Sequence, residues 1–295
     1  MRRDYQRFSI DVLGEHLLRS LDLDPVYVAL YKCGLPRKEL YRWLLAYWCG
    51  VYHVGAASYL AEYEGRHFWA AMMKAAANTS PTPFGERWPR GHERRHWRGI
   101  AALRAVRTLW NRYGDYPEEM VKYIAQPGIG RVQTFEAVAK RAREHPLFGP
   151  WIAFKVCDMV ERLGIASVSF DHANVFMFNS PKDAALMVWR QRNGLKETAK
   201  PKHEDAATNG VVRGLEQRFK DFMAPPRYER RIGLQEIETI LCKWKSHLSG
   251  HYPLLYDIQE IREGLKPWAA CSEIAKSLLH NMPQGLVRFP RGVVS

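Results

Sequence analysis

The chain of 295 residues is 46% hydrophobic, enough to build one large or two modest domains, and its 44 Lys and Arg against 31 acidic residues leave a formal charge of +13. A surplus of that size favours a polyanionic partner, nucleic acid foremost. No apolar run is long enough to span a bilayer, and the charged start Met1-Arg2-Arg3-Asp4-Tyr5 lacks the apolar stretch of a signal peptide. Five widely spaced cysteines without CxxC spacing indicate neither structural zinc nor an iron–sulfur cluster, and they read as reduced thiols of a cytoplasmic protein.

Residues 35–63 read as one long helix. Leu40, Trp43, Leu44, Tyr47, Trp48 and Val51 recur three and four apart, and Tyr52, His53 and Tyr59 within it read as core packing rather than a base-stacking platform. Residues 68–77 make a further helix, and the turn formers of 78–85 a loop. The next segment interleaves Arg87, Arg90, Arg94, Arg95 and Arg98 with Trp88, Trp97, His92 and His96. A guanidinium fork binds phosphate in bidentate fashion and stacks on bases, so this stretch is a candidate nucleic-acid or phosphate contact. Arg94, Arg95 and Arg98 are expected side by side at a helix start that runs into 100–106.

A short helix is expected over 117–124 and another over 134–141. Then comes a tight turn, Phe148-Gly149-Pro150, with Gly149 expected at positive φ and Pro150 suited to the first turn of the following helix. Ile152, Val156, Met159, Val160 and Leu163 form its apolar stripe, with Lys155, Asp158 and Arg162 opposite. Helix, turn, helix with outward backbone amides is a ready phosphate site. Asp171 follows on the loop that leaves this helix. A helix capped by Ser180, with Pro181 at its first position, should run to 191. Residues 191–209 read as an exposed linker, and 211–223 as a helix ended by Pro225-Pro226.

The segment 234–248 is a strong helix with Ile237, Ile240, Leu241, Trp244 and Leu248 as its buried stripe. Gln235, Glu238, Cys242 and Lys245 share another face, with residue types that serve acid–base work or anion capture. A last helix spans 257–265, and beyond Lys266 the chain reads as irregular. Strand-like alternation is scarce, so the expected class is mostly α. The expected division is 1–190, the linker 191–209, and 210–295 packing back on the first region.

A turn glycine between two helices, followed after twenty-two residues by Asp171, resembles the endonuclease III type of DNA glycosylase. That resemblance implies a glycosylase-like helical fold with a helix-hairpin-helix over about 134–163. The chain departs from it where the lyase members carry a Schiff-base lysine, since Trp151 stands there, and it lacks the cluster cysteines. The segments 93–99, 148–156 and 238–247 more closely resemble the bacteriophage amino acid:DNA transferases, also called α-glutamyl/putrescinyl thymine pyrophosphorylases.

This second resemblance implies a phage enzyme working in the cytoplasm of the infected bacterium on double-stranded DNA that carries pyrophosphorylated 5-hydroxymethyl-uracil. The amine of a free amino acid or polyamine displaces the pyrophosphate. Arg94, Arg95, Arg98, Lys155, Lys243 and Lys245 would hold pyrophosphate or donor, and Asp171, Glu238 or His247 would take the amine's proton. Phe148, Gly149, Trp151, Arg90, His96 and Trp97 would contact DNA, with Trp97 or Trp151 offering a surface to a flipped base. No resident cofactor or protein-bound metal is implied, a divalent ion with the pyrophosphate stays open, and no membrane partner is expected. Two other readings stand beside it: a base-excision glycosylase and a non-catalytic DNA-binding module.

Overall fold

The computed structural model describes residues 7–78, 80–91, 94, 97–128, 130–170 and 178–286. Among them the chain is mostly helical. In chain order come α1 (Ile10–Ser20), α2 (Pro25–Cys33), α3 (Arg37–Ala46), α4 (Val54–Ala61), α5 (Gly65–Ala77), α6 (Gly99–Tyr113) and α7 (Glu119–Ala125). They are followed by α8 (Phe135–Arg143), α9 (Pro150–Arg162), α10 (Asn179–Arg192), α11 (Glu204–Arg218), α12 (Leu234–Leu248), α13 (Tyr256–Leu265) and α14 (Glu273–His280). One parallel pair of two-residue strands, β1 (Gln133–Thr134) and β2 (Val168–Ser169), completes the regular structure.

The chain folds as two compact units, and neither is contiguous in sequence. One comprises residues 1–25, 173–259 and 283–295, the other 26–172 and 260–282. The expected division at 191–209 therefore falls inside a single unit. Its reason was the polar, weakly periodic sequence there, yet α11 already starts at Glu204, and α10, α11 and α12 pack together. Helix propensity along a polar stretch was enough once the buried residues Thr208, Val211, Val212 and Leu215 gave it one packed face.

In the unit of α10–α12, α12 lies against α1, α10 and α11. Being surrounded, it is buried nearly all round: Gln235, Glu236, Glu238, Thr239 and His247 are sealed with the expected Ile237, Ile240, Leu241 and Trp244. Its start is fixed by Glu236, which accepts from Gly233 N–H at 2.8 Å and from both terminal nitrogens of Arg230 at 3.0 Å. Helix α10 begins at Asn179 with Phe178 as its cap and no side-chain bond, so Ser180 lies inside the helix rather than capping it. The cap lies two residues before the expected one.

The other unit is built around tryptophans. Trp43 Nε1–H donates to Ser58 Oγ (2.9 Å), Trp48 Nε1–H to Met159 Sδ (3.1 Å) and Trp69 Nε1–H to the Gly114 carbonyl (2.7 Å), so each ring is buried with its polar edge satisfied. The expected long helix over 35–63 is interrupted. Helix α3 passes into a π-helical turn, Tyr47–Val51, and Tyr52 then adopts a left-handed backbone (φ 43, ψ 38) before His53 caps α4. Aromatics on every side hid this break from periodicity. Beyond Lys266 the chain is regular too: Trp268–Ala270 forms a 3-10 turn and α14 follows, capped by Ser272.

Helices α8 and α9 pack against each other across residues 144–149. Thr134 caps α8 by accepting from Ala137 N–H at 3.2 Å, and Pro150 opens α9 behind its cap Gly149. Gly149 is extended (φ −79, ψ −178), and the left-handed residue of the turn is Leu147 (φ 64). The expected positive φ is therefore present but two residues earlier. The strand pair ties the start of α8 to the segment after α9, and Phe170 wedges between Phe135 and Phe154, ring centroids 5.3 and 5.8 Å away. Asp171, the next residue, lies outside the described residues, as do Arg95 and His96.

Candidate nucleic-acid and donor site

The sequence candidates fall into two sets, one in each unit. In the unit of α2–α9 they gather around the turn before α9. Arg94 is 1% exposed, its guanidinium lying over the Trp97 ring (4.7 Å to centroid) and the Phe148 ring (5.5 Å). Its Nη1–H donates to the Leu147 carbonyl at 2.8 Å. That bond engages the left-handed residue of the turn, so Arg94 ties the arginine segment to residues 144–149. Burial pushes the guanidinium down to about 10, opposed by the nearby Cys49 and Tyr52. It therefore keeps its charge at neutral pH, held beneath the surface by two aromatic faces.

Arg90 has a different use. Its Nε donates to the Trp97 carbonyl (2.7 Å), Nη1 to Trp88 O (3.3 Å), and Nη2 to Ala75 O (2.6 Å) and Ala76 O (3.3 Å). Those last two carbonyls are orphans at the C-terminal end of α5, and the guanidinium satisfies them. Trp97 is wholly buried, whereas Arg98 caps the start of α6 with an exposed side chain. Helix α6 starts only at Gly99, behind its cap Arg98, so Arg94 lies outside it and the two do not share a helix start. Lys155 sits half-buried on α9 with its ammonium 5.4 Å from the Phe154 ring centroid.

Gly149 is exposed, with open space where a Cβ would stand, and Trp151 is half-buried one turn-residue into α9. Trp151 meets Tyr52 edge to face, centroids 5.2 Å apart at 61°. Tyr52 in turn stacks on Tyr47 (4.2 Å, 25°), and Tyr47 on Trp43 (4.7 Å, 24°). Behind α9, the polar residues expected on its far side are sealed rather than solvated. Asp158 is 0% and Arg162 2% exposed; Tyr27 Oη–H donates to Asp158 Oδ2 at 2.8 Å, and the Arg162 guanidinium lies 4.7 Å from the Tyr27 ring centroid. Two polar clefts of about 420 and 370 Å³ open in the same unit, sharing Arg42 and Glu64, which pair at 3.0 Å; no sequence-predicted site residue lines either.

In the other unit, α12 carries Glu238, Lys243, Lys245 and His247. His247 is 1% exposed, and both ring nitrogens are engaged: Nδ1–H donates to Tyr252 O at 2.7 Å and Nε2 accepts from Phe8 N–H at 3.1 Å. Lys243 donates to Asp22 O (2.6 Å), Leu23 O (2.5 Å) and Asp257 Oδ2 (2.6 Å). Lys245 pairs with Asp183 of α10 at 2.6 Å, and Cys242 Sγ–H reaches Ser180 Oγ at 3.7 Å. Cys242 and Lys245 of the expected face thus contact α10, whereas Gln235 accepts from Arg230 Nη2 at 2.8 Å and Glu238, only 4% exposed, accepts from Thr239 Oγ1–H at 3.4 Å.

Two groups escaped the sequence reading: Asp22 and Arg230. Asp22 is wholly buried, accepting from Ile258 N–H at 2.8 Å and Tyr252 Oη–H at 3.0 Å. Burial pushes its carboxyl up to about 6, against the pull of Lys243. All five cysteines are free thiols, and no helix among the described residues is long and apolar enough to cross a membrane.

A family model described as "Amino acid:DNA transferase" matches residues 15–252, most of both units. The chain belongs to the amino acid:DNA transferase family. It is 48% identical over 294 residues to a glycinyltransferase of Pseudomonas phage PaMx11, covering 96% of this chain and 99% of that one. It is also 22% identical over 279 residues to a putrescinyltransferase of Delftia phage PhiW-14, covering 93% and 83%. Membership makes the chain a transferase acting on DNA, as the second resemblance implied, and leaves the base-excision and purely DNA-binding readings without support.

Proposed function

We propose that the protein transfers glycine, through its amine, to 5-pyrophosphoryloxymethyl-uracil in phage DNA within the host cytoplasm. The observation that carries the choice of donor is the 48% identity, over nearly both full lengths, to a protein named for glycine transfer, against 22% to one named for putrescine. In the reaction the amine nitrogen forms a bond to the exocyclic methylene at C5, the methylene–oxygen bond breaks, and pyrophosphate leaves with the electron pair. The ammonium must first lose a proton, and the departing group must find cations.

The described side chains support a division of labour. Arg98, an exposed cation of the arginine segment beside α6, takes phosphate, whereas Arg94 and Arg90 shape the segment by holding the turn before α9 and the end of α5. The open space at Gly149 and the first amides of α9 receive a DNA phosphate. Lys155, on the same helix, suits the donor carboxylate. The proton goes to Asp171, assigned from the resemblance of its position to the loop aspartate of the glycosylases. His247, with both nitrogens held by backbone, and Lys243, clamped on two carbonyls and a carboxylate, are assigned to the fold.

The test is mass spectrometry of nucleosides from pyrophosphorylated hydroxymethyluracil DNA incubated with the protein and an equimolar mixture of glycine and putrescine. A thymidine that has gained one glycine is the expected product. Putrescinyl product alone overturns the donor, and free base with abasic DNA overturns the reaction.

A further inference from the structure

Helices α5 and α6 contain no acidic residue, although each presents one face to solvent. On α6 the apolar spacing buries Ala102, Ala105, Val106 and Leu109, which leaves Arg104, Arg107 and Asn111, three and four apart, together on the exposed side. Helix α5 buries Phe68, Trp69, Met72, Ala75 and Ala76 and exposes Arg66 and Lys74. The two helices pack antiparallel. At one end Trp69 Nε1–H donates to Gly114 O at 2.7 Å, and at the other Arg90 joins the Ala75 and Ala76 carbonyls to that of Trp97. The Arg90 guanidinium is pushed down first by burial and then by the charge of Arg98, so exposed Arg98 stands at this second end.

A solvated helix face usually mixes signs, because opposite charges one turn apart attract and like charges at that spacing repel. Here Arg104 and Arg107 repel each other, and among the described residues no carboxylate pairs with them or with Arg66, Lys74 or Arg98. The fold gains nothing from these charges; an anion brought to them would. They are strung along two helices rather than turned into one cleft, so a small anion meets one or two of them and a polyanion meets them all. From Arg98 to Arg107 the chain rises about 14 Å, the length of about four base pairs of duplex. A membrane-binding helix sets large apolar residues against its cations, and these two exposed faces hold only one, Ile100. Resting on the reading that Arg98 takes phosphate, we infer that the exposed faces of α5 and α6 form a track for the DNA backbone that flanks the reacting base. Arg66, Lys74, Arg104 and Arg107 hold its phosphates without reading sequence.

The test needs neither amine nor pyrophosphate. The full-length protein is titrated into a fluorescein-labelled, unmodified duplex of about twenty base pairs, and anisotropy gives Kd between about 50 and 200 mM salt. Arg104→Ala/Arg107→Ala removes two phosphate contacts, so the slope of log Kd against log salt falls by about two and affinity at about 0.1 M salt drops tenfold or more. The same double variant melts at or above the wild-type temperature, because alanine is the better helix former and the repulsion is gone. Arg66→Ala/Lys74→Ala loses slope and affinity in the same way on the neighbouring helix. Lys196→Ala/Lys202→Ala removes as much charge from exposed positions of the other unit and stays within about twofold of wild type.

An unchanged slope in both face variants overturns the inference, whether or not they lose affinity for anionic vesicles. So does an equal loss in the Lys196 and Lys202 control, which would make net charge the cause, or loss of binding only in variants that melt below wild type. Arg98→Ala with an unchanged slope, beside face variants that lose theirs, defeats the phosphate assignment of Arg98 and leaves the track standing.

Discussion

His247 separates a catalytic from a structural role by a magnitude the structure supplies. Removing the imidazole with His247→Ala leaves the buried Tyr252 carbonyl and the half-buried Phe8 N–H without their partner. The buried group costs about 1–3 kcal/mol and the half-buried one, which water can reach, about 1 kcal/mol at most. Loss of a buried ring stacked on Phe8, centroids 5.5 Å apart, adds roughly 3 kcal/mol more. The sum, about 4–7 kcal/mol, is of the order of a whole domain's stability. The alanine variant should therefore melt at least about 10 °C lower or fail to fold. His247→Asn retains a donor near Nδ1, and His247→Gln an acceptor near Nε2. Each should lose about 1–3 kcal/mol, read by thermal unfolding followed by circular dichroism. Below their melting temperature both should transfer amine with kcat within about threefold of wild type, a change too small for a lost general base. Unchanged melting together with a hundredfold loss of kcat in both would refute this reasoning and make His247 the proton acceptor.

Other outcomes follow from the same contacts. Arg98→Ala, at an exposed side chain, should leave stability within about 0.5 kcal/mol and lower the salt slope of DNA binding by about one, whereas Arg90→Ala should cost about 2–4 kcal/mol through the carbonyls it serves and leave that slope alone. His53 is lowered by burial to about 4, so the neutral ring contributes stability above pH 6.5 that is lost as pH falls toward 4, up to about 3 kcal/mol. His53→Asn, which can still cap Ala56 N–H, should flatten that part of the pH–stability curve. Asp22 has the opposite sign: its folded value of about 6 lies above the unfolded one, so its own contribution to stability rises as pH falls from 6 toward 4, against that of His53. Asp22→Asn should abolish that rise and, at pH 8, unfold at or above the wild-type temperature.

Some elements could be read directly from residue order because a local rule decides them. Helix α12 runs over the predicted 234–248, since its apolar spacing and its Glu236 capping partner agree. Helix α9 starts at Pro150 for the reason given in advance, a proline whose missing N–H lacks a partner at a first turn anyway. Helical spacing with scarce strand-like alternation pointed to the mostly helical class, and three short segments pointed to the family. What they could not disclose was anything that depends on who stands opposite.

Lys243 and Lys245 look alike in sequence. One is clamped on carbonyls near Asp22 and the other pairs with Asp183, because neighbouring positions on a helix face different partners. His247 meets Phe8 across 239 residues, and no periodicity carries information over that span. The break at Tyr52 is invisible for a related reason: an i→i+5 turn among aromatics leaves the apolar pattern intact while redirecting the chain. Sequence alone determined the helices, the charge and the family, all properties of short windows or of sums. Tertiary structure decided which polar groups are sealed, which rings stack on one another and how the chain divides, because burial belongs to pairs of distant segments and to neither one alone.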